Sequence, residues 1–255
     1  MLTVLLPLLA ATAQPAAKIV DFGPPNRVEP VRQLCSGTPK WCLTLRQDDG
    51  DNKTFLDIGR AVADETAAPT ASIDITDRDG DARFDFWTKI IELPDGGRII
   101  GIVRIVTSMY SGGGGLARQL MLYRLNGSGA LVPAHVLTVP DRAAITIRAC
   151  FNGTDFKNRR GACHDQYELS SDLSIDPVRA TGPLPDLLLK VEATTFPAGV
   201  SRNADSLERG PLKKSDLVEK ADPACTYRRQ FRFDTVLDEY VPGEPLPDCS
   251  QYLEP

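Results

Sequence analysis

Strand signals dominate the hydrophobic pattern of this chain: short apolar and β-branched runs are bounded by Gly, Asp, Asn and Pro. Residues 41–46 and 54–58 flank the turn-rich QDDGDNK and predict a hairpin with an acidic tip. Residues 73–75 predict a strand that leads into an aspartate-rich loop. Residues 84–93 and 98–107 flank PDGG, whose turn residues tolerate positive φ, and predict a second hairpin. Within it the run IIGIVRIV is too continuous for a strand with one wet face, so both its faces are expected to be covered. Gly112 to Gly115 are expected to interrupt regular structure. Residues 117–125 and 130–139 flank NGSG as a third hairpin, and a further strand is predicted over 144–151. The one helix expected covers residues 212–221, with Pro211 at its start and Pro223 beyond its end.

Part of this pattern recurs. The PDLLLKVEA that begins at Pro185 matches the position of FDFWTKIIE from Phe84, so that Asp186 answers Asp85 at the head of a long strand. YRLNGSGALVP from Tyr123 to Pro133 returns as FRFDTVLDEYVP from Phe231 to Pro242. The offsets are 101 residues for the aspartates, 108 for Arg124 against Arg232, and 109 for Pro133 against Pro242. A nearly constant offset predicts a duplicated β unit. The expected fold is therefore mainly β, with two related antiparallel units packed as blade-like sheets and not closed as a propeller. The expected organisation is a signal peptide at 1–13, an N-terminal hairpin segment at 14–72, a first β unit at 73–151, a disulfide loop and linker at 152–184, and a second β unit with a tail at 185–255.

Charge and cysteine usage narrow the partners and the compartment. The net charge is −5 and no Lys/Arg run exceeds two residues, which argues against nucleic acid, because phosphate binding relies on clustered cations. Residues 2–11 are almost wholly apolar, and Ala11-Thr12-Ala13 fits the small-x-small site of signal peptidase, so a mature chain starting at Gln14 is expected. No later stretch has the roughly 18 apolar residues needed to span a bilayer. The expectation is a secreted or periplasmic protein. Six cysteines, Cys35, Cys42, Cys150, Cys163, Cys225 and Cys249, read in an exported chain as disulfides with fifteen possible connectivities, of which sequential pairing is preferred. Zinc is disfavoured because there is no CxxC, and Cys163 beside His164 lacks further ligands at short spacing.

The stretch DRDGDARFD places Asp77, Asp79, Asp81 and Asp85 at relative positions 1, 3, 5 and 9. Four staggered carboxylates, a backbone carbonyl near Arg83 and a water could supply the six or more oxygens that calcium prefers. The loop is not an EF-hand, since glycine falls at the fourth place and Thr88 stands where the bidentate glutamate should be. It resembles the calcium loop of FG-GAP and VCBS-type repeats, the units of integrin-like β-propellers, with Ala82 where those repeats carry glycine. The resemblance covers residues 73–133. It implies that Asp77, Asp79, Asp81 and Asp85 are side-chain ligands, that Arg83 contributes its carbonyl, and that the calcium is structural. A solvated polar turn is the alternative reading of the same residues.

Other candidate chemistry is sparse. His164, followed by Asp165, could act as a general base oriented by a carboxylate, but capping of the turn after Cys163 is the favoured reading, because no GxSxG or catalytic cysteine accompanies the pair. His135 lies in an apolar strand and reads as a packing or surface residue. SGGGG, from Ser111, lacks the Lys-Ser/Thr ending of a phosphate loop and is expected to be a mobile connection. Asn158-Arg159-Arg160 is expected at the exposed tip of the Cys150–Cys163 loop as a small cationic knob. The expected function is a non-catalytic exported module that binds a protein or a glycan through its loops. The alternative is an exported hydrolase built around His164 and acidic residues.

Overall fold

The computed structural model describes residues 16–22, 26–28, 31–35, 41–48, 53–60, 70–77, 82–126, 133–179 and 183–255. The proposed signal peptide lies outside them. Two antiparallel sheets account for most of the described chain. The smaller holds β2 (Asn26–Val28), β3 (Val31–Cys35), β4 (Trp41–Asp48), β5 (Lys53–Arg60) and β6 (Ala71–Asp74), paired in chain order. The larger begins with β1 (Lys18–Asp21) and continues through β7 (Ala82–Glu92), β8 (Arg98–Tyr110), β9 (Gly113–Leu125), β10 (Ala134–Arg148), β11 (His164–Ile175) and β12 (Leu187–Phe196). It ends with β14 (Tyr227–Asp234) and β15 (Glu239–Pro242), while β13 (Lys220–Ala221) adds to β12. Both landmark sets of the suspected repeat lie in this one sheet. The chain thus passes from the large sheet to the small one between β1 and β2 and returns at the aspartate loop, between β6 and β7.

The three expected hairpins form as β4–β5, β7–β8 and β9–β10. At the second, Gly96 takes φ +82°, and the Gly96 N–H donates to the Leu93 carbonyl at 3.1 Å. The run IIGIVRIV is covered on both faces, as its continuity predicts. Ile100 and Ile102 of β8 pack with Phe84, Phe86 and the small-sheet residues Leu43, Leu56 and Ile58. Ile99 and Val103 turn instead toward Leu120, Leu122, Leu169 and Leu189 on the opposite side. Each such fully buried side chain contributes about 1.5–3 kcal/mol through its removal from water.

The large sheet curls. Strands β10 and β15 lie four places apart in the ladder yet touch, and β1 and β11, five places apart, touch as well. An Arg124–Asp238 ion pair at 3.5 Å ties β9 to the β14–β15 turn, with the Arg124 guanidinium 5.4 Å from the Phe233 ring centroid. The short helix α2 (Ser250–Leu253) packs on β9, β10 and β11. Its Tyr252 is fully buried, meets Tyr167 edge-on at 6.2 Å, and donates its hydroxyl to Asp222 at 2.9 Å.

Three local expectations need correction. Gly113, Gly114 and Gly115 do not interrupt the sheet: they are the first rungs of β9, opposite Tyr110, Met109 and Ser108, and the turn is only Ser111 and Gly112. The glycines serve close approach, since a Cβ at Gly113 would lie 1.9 Å from the Thr146 carbonyl oxygen, and one at Gly115 would lie 2.6 Å from Pro255. Residues 134–148 form one bent strand where two were expected, because register shifts beside His135 and Pro140 absorb the proline without breaking the ladder. The helix expected at 212–221 reduces to a 3-10 turn at Lys214–Asp216, and residues 220–221 pair with β12 instead. Ten residues form a marginal helix without an apolar face to bury, and this stretch sinks only Leu212 while Val218 stays half exposed.

Candidate functional site

All six cysteines pair sequentially, Cys35 with Cys42, Cys150 with Cys163, and Cys225 with Cys249. The second bridge closes a segment where an irregular loop is expected from the sequence and which contains helix α1 (Gly153–Asn158). The signal for it is present in the sequence: Asn152 caps the helix, accepting from the N–H groups of Thr154 and Asp155 at 2.8 and 3.0 Å, while Asp155 accepts the Phe151 N–H at 2.9 Å. Gly161, at φ +84°, follows its end.

Arg159 is not part of an exposed knob. It is 3 % exposed and donates to Asp165 and, at 2.8 Å, to the Ala162 carbonyl; Asp165 also accepts from the Ser206 hydroxyl. A cation at this position is buried because the loop folds back on β11, whose carboxylate compensates it. Arg160 stays exposed, with its Nε donating to the Leu212 carbonyl at 2.7 Å, and the Leu212 N–H bonds the Asn158 carbonyl at 2.8 Å. These bonds dock the disulfide loop onto the segment that runs from Ser206 to Leu212.

His164 and Asp165 do not form a pair. They are successive residues of β11, so their side chains leave opposite faces, and Asp165 is committed to Arg159 and Ser206. The burial of Tyr167, two residues on, raises its phenol well above the ordinary value, reinforced by the charge of Asp165. His164 lines an open groove of about 700 Å3 with Ser111, Gly112, Arg148, Phe151 and Phe156. No carboxylate is among the described residues that line it. Arg148 spans the groove wall, its Nε donating to the Cys150 carbonyl at 2.8 Å and its guanidinium 5.2 Å from the Phe151 ring centroid. Phe151 and Phe156 are 60 % and 57 % exposed, and Met109, at the adjoining end of β8, is 88 % exposed. His135 is a surface residue of β10, 5.5 Å edge-on from Tyr123 and 2.8 Å from the Thr138 hydroxyl, and partial burial lowers its pKa.

The aspartate loop joins the two sheets. Asp77 is 10 % exposed and accepts from Nε and a terminal nitrogen of Arg104 at 2.9 and 2.7 Å, with its other oxygen 3.3 Å from the Ala82 N–H. Asp85, on β7, pairs with Arg32 of the small sheet, which also donates to the Phe84 carbonyl at 2.7 Å. Arg83 stands in the ladder opposite Ile105. Asp79 and Asp81 lie outside the described residues. Among the described residues no three His, Cys, Asp or Glu side chains converge as a metal cage. What the described part shows is two carboxylates compensated by two arginines from different strands.

The described architecture defines a mainly β protein of two antiparallel sheets, one of them curled, braced by three disulfides. No family model, no curated protein and no solved structure matches the chain. Among the described residues no helix is long and apolar enough to cross a membrane, and the three disulfides suit an oxidising, extracytoplasmic compartment.

Proposed function

We propose that this is an exported, non-catalytic binding module whose contact surface is the aromatic groove beside the Cys150–Cys163 bridge. The observation that carries the reading is the exposure of Phe151 and Phe156 on a frame held by a disulfide, a capped helix and a buried Arg159–Asp165 pair. Rigid, exposed aromatic side chains give contact area at little entropic cost, the usual anchor of a protein interface. Arg148, Lys157 and Arg160 surround them in a chain of net charge −5, so the partner is a protein segment with apolar and acidic side chains. Crosslinked capture from the native extracytoplasmic fraction tests this. A partner captured by the wild type and lost with Phe151→Ala/Phe156→Ala, while His164→Ala retains it, is the expected result. Identical capture by the double variant overturns the reading.

In the same reading the calcium loop is a brace between the sheets, related in kind to FG-GAP and VCBS repeats. Its position between β6 and β7 and the low exposure of Asp77 support this. Calcium then competes with Arg104 and Arg32 for Asp77 and Asp85. A ligand bound only by the folded state stabilises it by about 2.7 kcal/mol at one hundred times its Kd. Calcium is expected to raise the melting temperature, and Arg104→Gln, which frees Asp77, to enlarge that rise. Indifference of both proteins to calcium and chelator would confine the aspartates to ion pairing.

A further inference from the structure

The curl of the large sheet opens a second cavity, about 380 Å3, between a bulge in β7 and the facing stretch of β11. Its construction starts at a mismatch in the β7–β8 ladder. Phe86 pairs with Ile102 and Ile90 with Ile100, so Trp87, Thr88 and Lys89 stand opposite Gly101 alone. Gly101 makes room for the bulge, because a Cβ there would meet Trp87 Cβ at 2.8 Å and Trp87 Cε3 at 2.9 Å. The Trp87 ring is thereby seated against the sheet with part of its surface left open, on an apolar floor of Val103, Leu120, Val139 and Leu173.

The polar rim is equally fixed. Arg118 of β9 donates Nε to Asp141 of β10 at 2.8 Å, with both side chains about one third exposed. The Ser171 hydroxyl holds the backbone of the Pro140 bulge by donating to the carbonyls of Pro140 and Asp141. The terminal nitrogens of Arg118 have no acceptor among the described residues, and neither Lys89 nor Asp172 has an ion-pair partner among them. Three acidic residues, Asp85, Asp141 and the exposed Asp172, line the cavity and its mouth with two basic ones, Lys89 and Arg118, and Arg32 compensates Asp85 from behind. The cavity is close to neutral, yet rich in both donors and acceptors.

We propose that this cavity is a binding site for a neutral carbohydrate of one or two sugar rings. A neutral rim gives a charged ligand no net attraction, while paired donors and acceptors suit vicinal hydroxyls, which offer both. The open part of Trp87 offers an apolar platform for the C–H face of a sugar ring. The volume falls at the small end of the range of ligand pockets, which sets the limit on ring number. The site is separate from the aromatic groove and does not depend on what that groove binds.

Ligand-observed saturation-transfer NMR on the full chain tests the proposal, with cellobiose, maltose and chitobiose as neutral probes and a uronic-acid disaccharide as the charged one. At least one neutral probe is expected to bind, with affinity reduced about tenfold by Trp87→Ala. Asp172→Asn, at an exposed side chain that leaves the core intact, is expected to weaken the same probe, while Phe151→Ala/Phe156→Ala leaves it unchanged. Absence of transfer to every neutral probe up to its solubility, preference for the uronic acid, or undiminished binding by both Trp87→Ala and Asp172→Asn overturns the assignment.

Discussion

At the scale of single residues, stability depends on sites where one atom more or one partner fewer has nowhere to go. Gly101→Ala places a methyl group within 2.9 Å of Trp87 and Leu120 and is expected to cost about 1–3 kcal/mol in urea unfolding. A denaturation midpoint equal to that of the wild type would mean that the bulge relaxes freely. Asp165→Asn leaves Arg159 buried without its counter-charge, for which about 3–5 kcal/mol is the expected loss by the same measurement. Neither residue announces itself in the sequence. Asp165 reads as a partner of the adjacent His164, and only the alternation of β11, with His164 outward and Asp165 inward, assigns it to Arg159. Trp87 reads as one apolar residue in a strand, since a bulge depends on the register with the neighbouring strand.

Among the elements, the disulfide loop decides whether the aromatic groove keeps its shape. Joint replacement of Cys150 and Cys163 by serine is expected to lower stability by about 2–4 kcal/mol and to weaken capture of the groove's partner, because α1 loses the closure that orients Phe151 and Phe156. Unchanged capture by the reduced or substituted protein would place the contact surface elsewhere. The hairpins were legible because turn residues such as PDGG and the flanking strands act over short windows. Helix α1 carries its own signal in Asn152, Asp155 and Gly161, which the loop-like composition around it masks. The absence of the helix expected at 212–221 has its cause in tertiary competition: the edge of β12 takes Lys220 and Ala221 as a strand.

For the whole molecule, the curled sheet buries phenols as well as aliphatic side chains. Burial raises the pKa of Tyr167, Tyr240 and Tyr252 well above the ordinary value, and Tyr123 is pushed up to about 12. A group whose pKa is higher folded than unfolded contributes stability that is complete below the unfolded value, about pH 10, and is lost as pH rises through the folded one. Unfolding free energy is therefore expected to fall steadily above about pH 10, with phenolate absorbance from these residues emerging together with loss of the near-ultraviolet dichroism. Phenolate formation by all six tyrosines at the ordinary pKa, with the native dichroism retained, would contradict the buried placement.

By itself the sequence determined the β class, the three hairpins, the double-sided burial of β8 and the preference for sequential disulfides. These are local properties, set by side-chain periodicity, turn chemistry and short loops that closure entropy favours. Only the tertiary structure decided which strands share a sheet, because both landmark sets of the suspected repeat fit one continuous ladder. It also decided the partners of the charges: Asp77 meets Arg104 across 27 residues, Asp85 meets Arg32 across 53, and Arg124 meets Asp238 across 114. The groove and the cavity belong to the same level. Both exist because the large sheet curls and the disulfide loop docks, and curvature is a sum over many strand registers that no single stretch of residues encodes.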